Sequence, residues 1–277
     1  MAIITLTTDF GEKDPFAGAV KGAIYNEMPD MRIVDITHSI SPFHIPEAAY
    51  IIKNAYKSFP EGTIHIIGVD AELTPENKHL ALKLDGHFFI CADNGIMSLL
   101  TSEINPEKIV EINIHDAIKT NFPVLDVFVS VACHIARGGT LEVVGKISET
   151  IKELHYLKAQ ANNDLTQITG HVIYIDNYGN VVTNISKSIF ETIGKGRAFT
   201  IHARSLKISK IFTSYSQAID FTVNKEQRFD DEGKKLAIFN TSDFIELAMY
   251  RSNPQTSGGA SSLFGLTYLD TVTVTFK

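Results

Sequence analysis

Two carboxylates stand at the ends of two apolar runs. Asp9 follows Ile3-Ile4-Thr5-Leu6-Thr7-Thr8, and Asp70 closes the run at 63–69. An ionised carboxylate accepts two hydrogen bonds at once, the pattern that a ribose diol presents, and it attracts a cation. Further along, Asp176-Asn177-Tyr178-Gly179-Asn180 sets a carboxylate, a phenol ring and two amides within five residues. Asn240-Thr241-Ser242-Asp243 precedes a run that carries Glu246. Phe43, after His38 in a short loop, offers an aromatic face of the kind that stacks on a purine. Each group alone is ordinary turn chemistry; together they fit a small polar ligand with an aromatic part.

The elements between these residues must bring them together. Residues 3–7 read as a strand because β-branched residues fill a short apolar run. Pro15 opens a helix ended by Pro29, with Asp14 expected as its cap and Phe16, Val20, Ala23 and Ile24 on one face. A strand at 31–36, a helix from Pro46 and a strand at 63–69 follow. Strand, helix, strand, helix, strand implies right-handed crossovers and a parallel sheet. Asp9, Asp70 and the loop holding His38 and Phe43 then share the edge beyond the strand C-termini, where open α/β sheets bind ligands.

Asp85-Gly86 between 79–84 and 87–92 predicts an antiparallel hairpin with a two-residue turn. A strand at 108–112 precedes a buried helix at 127–137, with Asp126 as its cap and Gly138-Gly139 as its end. His134 on that helix reads as a hydrogen-bonded core residue. The polar stretch around Asn162-Asn163-Asp164 marks the boundary, giving an α/β domain over 1–160 with a largely parallel sheet. Residues 161–277 carry short strand-like runs at 168–175, 181–185, 198–201, 236–239, 245–249 and 272–276, with a helix at 187–193 capped by Ser186. They predict a small all-β, barrel-like domain.

The 277 residues are 44% hydrophobic, enough for a substantial core in two domains. A formal charge of -7 without basic runs argues against a nucleic acid or an anionic membrane as partner. A small molecule is the better expectation. Cys91 and Cys133 lack zinc-like spacing, the histidines are scattered without metal-ligand spacing, and nothing resembles a signal peptide. A cytoplasmic protein with reduced cysteines and no metal is expected. Walker and dinucleotide glycine loops, nucleophile elbows and internal repeats are absent from the sequence.

In order and end to end, these stretches resemble the S-adenosyl-L-methionine (SAM) hydroxide adenosyltransferases, relatives of the fluorinase and chlorinase. The resemblance is carried by Thr8-Asp9-Phe10-Gly11 with Asp14 and Lys21-Gly22, by Asp35-Ile36-Thr37-His38, by Phe59-Pro60-Glu61-Gly62-Thr63 and by Asp93-Asn94-Gly95. It continues through His134-Ile135-Ala136-Arg137-Gly138, Asp176 with Tyr178-Gly179-Asn180, Thr183-Asn184-Ile185 and Glu246-Leu247-Ala248. It implies a homotrimer that binds SAM between the N-terminal domain of one subunit and the C-terminal domain of the next, with no cofactor. Asp9 would hold the ribose hydroxyls, Phe43 and Phe122 would line the pocket, and Asp176 would meet the methionine ammonium. Tyr178, Asn180, Thr241 and Ser242 would surround adenine, and Asp14, Asn94 and Glu246 complete the substrate-binding set.

The implied chemistry is displacement of neutral methionine from the ribose C5′ by water. The family's hydrolase branch handles that water with an Asp, an Arg and a His. Asp70 matches the first, whereas Asn77 and Pro123 stand at the other two positions. Proline offers no side-chain donor or acceptor, and asparagine lacks the cationic fork of arginine. Lys78 is the candidate replacement beside Asp70, with His79 on the opposite face of the strand as the other choice. Halide as nucleophile is the weaker expectation, because Pro123-Val124 is apolar where a halide site would need a small residue or a hydroxyl. A protein that binds the adenosyl group without turnover, and one that binds an unrelated phosphate or sugar, are the other readings.

Overall fold

In the computed structural model, which describes residues 2–101, 104–114, 120–154, 156–224, 226, 231 and 233–277, the β-branched runs form strands and the amphipathic stretches form helices. The chain divides into two units, Met1–His155 and Tyr156–Lys277. Unit one contains β1 (Ile3–Thr8), α1 (Phe16–Glu27), β2 (Arg32–Thr37), α2 (Ile45–Ala55), β3 (Ile64–Gly68), β4 (His79–Leu84) and β5 (His87–Ala92). It continues with α3 (Ile96–Leu100), β6 (Lys108–Ile112), α4 (Val129–Ala136) and β7 (Gly145–Ile147).

The strand order is β2-β1-β3-β5-β4-β6-β7. β2, β1, β3 and β5 pair in parallel, but β4 is antiparallel to both β5 and β6, and β6 is antiparallel to β7. The sheet is therefore mixed, which corrects the expectation of a largely parallel one. The cause is the Asp85-Gly86 turn, whose φ values of +51° and +74° are both positive as a type I′ turn requires. It folds β5 back beside β3 and leaves β4 outermost, so every later strand is added to an antiparallel edge.

Side chains alternate across this sheet with period two. Ile64 and Ile66 pack with Val20, Ile24, Phe128 and Val131 on the α1 and α4 face. Ile67, Leu80, Leu82 and Phe89 pack with Ala48, Ile52 and Met97 on the α2 and α3 face. Two helix starts differ from expectation. Pro15 itself occupies the cap position of α1, with no side-chain cap bond, and Asp14 is exposed. The buried helix begins earlier than Asp126: Pro123 leads into a turn of π-helix at Val124–Phe128, which runs into α4. Proline's fixed φ and missing N–H suit a helix start, and here they prevail over the carboxylate. Asp126 instead accepts a hydrogen bond from the Thr120 hydroxyl.

Unit two contains β8 (Gln160–Ala161), β9 (Gln167–Ile175), β10 (Val181–Ser186), α5 (Lys187–Gly194), β11 (Phe199–Ala203), β12 (Leu206–Ile208) and β13 (Ile211–Phe212). β14 (Lys235–Phe239), β15 (Phe244–Met249), α6 (Ala260–Phe264) and β16 (Thr271–Phe276) complete it. The sheet order is β12-β11-β16-β9-β10-β15-β14-β13, with β8 added beside β9. All pairings are antiparallel except β13 with β14. β12 approaches β14, so the sheet nearly closes into a barrel around Ile168, Val181, Leu247 and Val274. Ser186 caps α5 as expected, accepting the Ile189 N–H at 3.3 Å. Among the described residues no helix is long and apolar enough to cross a membrane.

Candidate functional site

β1 ends at Thr8, which places Asp9 at the C-terminal edge of the parallel strands. Thr8 is anchored to the neighbouring strand's loop: its hydroxyl is 2.8 Å from His38 Nδ1, and its carbonyl accepts the Ile40 N–H. His38 Nε2 sits 3.1 Å from the Asp35 carboxylate, which Lys21 also pairs with at 2.5 Å. Burial pushes the Asp35 carboxyl up, but the Lys21 and His38 contacts outweigh it and hold the carboxyl below its ordinary value. Asp9 then accepts the Phe43 N–H through Oδ2 at 2.9 Å.

β3 ends at Gly68, and Asp70 follows with a φ of +44°, a left-handed conformation uncommon outside glycine. Asp9, Phe43, Asp70 and Phe122 line one cavity of about 580 Å³ at this edge. Its wall also includes Glu72, His79, Thr120, Asn121 and the apolar Pro123, Val124 and Val127. Phe122 meets Phe10 and Phe16 edge to face, with centroids 5.5 and 5.4 Å away. Among the described lining residues three are carboxylates, Asp9, Asp70 and Glu72, and none is a lysine or arginine. In a partly enclosed space such a lining favours a cationic ligand and repels an anion.

The remaining candidates of unit one lie elsewhere. Asp14 is exposed and outside the lining. Lys78 is also outside it, with its ammonium 3.9 Å from Glu111. His79, by contrast, is buried, lines the cavity and bonds through Nε2 to the Ala71 carbonyl at 3.0 Å. Asn94 is buried behind the wall, donating to the carbonyls of Val69 and Asp70. The Asn77 amide oxygen accepts the Lys152 ammonium at 2.9 Å.

In unit two, Asp176, Tyr178 and Asn180 share the β9–β10 turn. Asp176 Oδ1 accepts the N–H groups of Tyr178 and Asn180, and Oδ2 accepts the Asn180 amide at 3.0 Å. Tyr178 is left exposed. Glu246 lies in register with Val182 on the adjoining strand, buried, and accepts the Tyr215 hydroxyl at 2.6 Å. Burial pushes its carboxyl up, and the nearby Asp176 adds to the rise. Thr241 and Ser242 occupy the β14–β15 turn, which is tied by the Asn240 side chain to the N–H groups of Ser242 and Phe244.

Glu72, Thr120 and Asn121 escaped sequence reasoning. They sit in loops with no periodicity to mark them, and the only signal was the i, i+2 spacing of Glu72 from Asp70.

The description of the SAM hydroxide adenosyltransferase N-terminal domain matches residues 4–145, and that of the C-terminal domain matches residues 170–273. A protein of Methanocaldococcus jannaschii named (R)-S-adenosyl-L-methionine hydrolase is 27% identical over 99% of this chain and 96% of its own length. A fluorinase of Nocardia brasiliensis is 24% identical over 70% of this chain and 74% of its own. The crystal structure of an uncharacterized conserved protein from Thermotoga maritima has the same fold, with a TM-score of 0.83, 23% identity and coverage of 99% and 100%.

Proposed function

This chain belongs to the SAM hydroxide adenosyltransferase family, and from that premise we propose that it hydrolyses SAM to adenosine and L-methionine. Water attacks the ribose C5′ in line with the C–S bond. The bond's electron pair leaves on sulfur, giving neutral methionine, and the water's proton passes to a carboxylate and on to solvent. The sulfonium already supplies leaving-group activation, so the reaction calls for no cofactor and the protein's work is positioning and partial dehydration.

The carrying observation is the cavity lining: among its described residues stand Asp9, Asp70 and Glu72 and no lysine or arginine, with Pro123, Val124 and Val127 closing it. It suits a cationic electrophile and a neutral nucleophile, and it disfavours the anionic halide that a fluorinase uses. Asp9 would take the ribose hydroxyls with the lone pairs that Phe43 leaves open. Phe43 and Phe122 would flank the sugar and base, and Asp70 would accept the water's proton. Asp176, Tyr178, Asn180, Thr241, Ser242 and Glu246 would receive the adenine and methionine ends, supplied by the next subunit of a homotrimer working in the cytoplasm.

A second reading, an adenosyl binder without turnover, is favoured by one feature. The Asn77 amide is engaged by Lys152 and Pro123 has no polar group, so neither replaces the Arg and His of the hydrolase pattern. Chromatographic detection of adenosine separates the two. Because the Methanocaldococcus relative is named for the (R)-sulfonium form, both sulfonium epimers belong in the assay. Adenosine above an Asp70→Ala control supports hydrolysis; saturable binding by calorimetry with no adenosine overturns it in favour of the binder.

A further inference from the structure

We propose that Asn94 and His79 form a clamp on the turn that carries Asp70, and that both are positioning residues for the water-handling carboxylate. The proposal rests on the hydrolytic reading above.

Three successive main-chain carbonyls in this turn each receive a side-chain donor. Asn94 Nδ2 reaches Val69 O at 3.0 Å and Asp70 O at 3.2 Å, and His79 Nε2 reaches Ala71 O at 3.0 Å. A carbonyl can only accept, so Nε2 of His79 carries the proton in this bond. Between these donors Asp70 holds its left-handed φ of +44°. Aspartate tolerates that region better than most residues, but its Cβ still crowds the following carbonyl there, so the donors beneath help to hold the turn.

The donors themselves stand on rigid parts. Asn94 is buried, and its Oδ1 accepts the Ile96 N–H at the start of α3. His79 is the first residue of β4, pairs in register with Ala92 and packs edge-on to Phe128 at 4.8 Å. The clamp therefore ties the Asp70 turn to the open end of the β4–β5 hairpin. With Asn77 and Pro123 in place of charged or protonatable groups, Asp70 has no such neighbour from those positions to orient a water. Its direction depends on the main chain beneath it.

The test combines kinetics with structure in the full-length protein. Asn94→Asp keeps the acceptor for Ile96 and removes the donor; His79→Leu removes the imidazole; His79→Gln restores an N–H. Asn94→Asp and His79→Leu are expected to lower kcat for adenosine release by about 10²-fold, the scale of a reacting group displaced by an ångström. KM should stay within about 3-fold, since a lost transition-state interaction leaves ground-state binding intact. His79→Gln should recover most of the His79→Leu loss. Crystal structures of Asn94→Asp and His79→Leu are expected to show Asp70 outside the left-handed region. Wild-type kcat in both variants, or Asp70 still left-handed in both structures, overturns the clamp. A wild-type protein that releases no adenosine defeats the hydrolytic reading instead, and the two crystal structures still decide the clamp.

Discussion

The Asp9 carboxylate accepts the main-chain N–H of Phe43 at 2.9 Å, joining the end of β1 to a loop 34 residues further on. Phe43 holds a φ of +61° in that loop, with 72% of its surface exposed at the cavity. One oxygen thus shapes the loop while the residue lines the cavity. Asp9→Asn keeps an acceptor for Phe43 and removes the charge, whereas Asp9→Ala removes both. Hydrogen bonds to a charged group contribute about 1.5–3 kcal/mol, so Asp9→Ala is expected to weaken SAM binding by roughly 10- to 100-fold. Thermal-shift titration reads this directly, and unchanged ligand stabilisation in Asp9→Ala would remove Asp9 from the ribose.

Asp70→Asn tests the other carboxylate. Losing a group that accepts the water's proton costs about 10²- to 10⁴-fold in kcat. Binding of SAM, followed by calorimetry, should change little. A variant that hydrolyses SAM at the wild-type rate excludes proton transfer to Asp70.

Glu72→Gln addresses the preference for a cation. Glu72 is exposed at the cavity rim, so its field is screened and KM for SAM should rise only about 3-fold. Inhibition by the uncharged product adenosine should not move. Equal weakening of both ligands would show that Glu72 acts through shape and not through charge.

Inside unit one, His65 is buried between Thr5, whose hydroxyl is 2.7 Å from Nδ1, and His87, 3.2 Å from Nε2. Burial, reinforced by His87, lowers the His65 imidazole to about 3. The folded protein therefore keeps it neutral where an unfolded chain protonates it below about 6.5. The unfolded state binds more protons in that window, so this contribution is complete above pH 6.5 and is lost as the pH falls toward 3. The limiting slope is about 1.4 kcal/mol per pH unit. Urea unfolding at pH 7, 5.5 and 4.5 should show the decline, and His65→Gln should flatten it.

Gly145, where β7 joins β6, is a stability control remote from the cavity. A Cβ there would lie 1.9 Å from the Glu111 carbonyl, main chain that cannot swing aside. Gly145→Ala is expected to cost about 1–3 kcal/mol or more and to lower the melting temperature, as overpacking does. KM for SAM should stay unchanged.

Much of the architecture was legible because local chemistry and the final fold agreed. The Asp85-Gly86 hairpin has the strand bounds its turn predicted, 79–84 and 87–92. The pairing order was not legible, since nothing local to β4 says which neighbour flanks it. Strands of two or three residues, β8, β12 and β13, are too short to carry a period-two pattern. Asp9, Asp70, Phe43 and Phe122 were readable as candidates, and the cavity holds all four together. That the Asn94 amide donates to the carbonyls of Val69 and Asp70 is a detail that residue type alone does not reveal. Lys78 and His79 were separated only by which face of β4 meets the cavity.

The turn of π-helix at Val124–Phe128 sends the Val129 N–H back five residues to the Val124 carbonyl. Such a turn holds one residue more than an α-helical path between the same points. Deleting a single residue there would let α4 wind regularly from Pro123 onward, swinging the side chains before the deletion by about a quarter-turn relative to those after it. Pro123 and Val124 would then point away from the space they now close. The contour of that wall therefore hangs on a count of residues as much as on their identity, and a change of length at this spot would reshape it more than many substitutions.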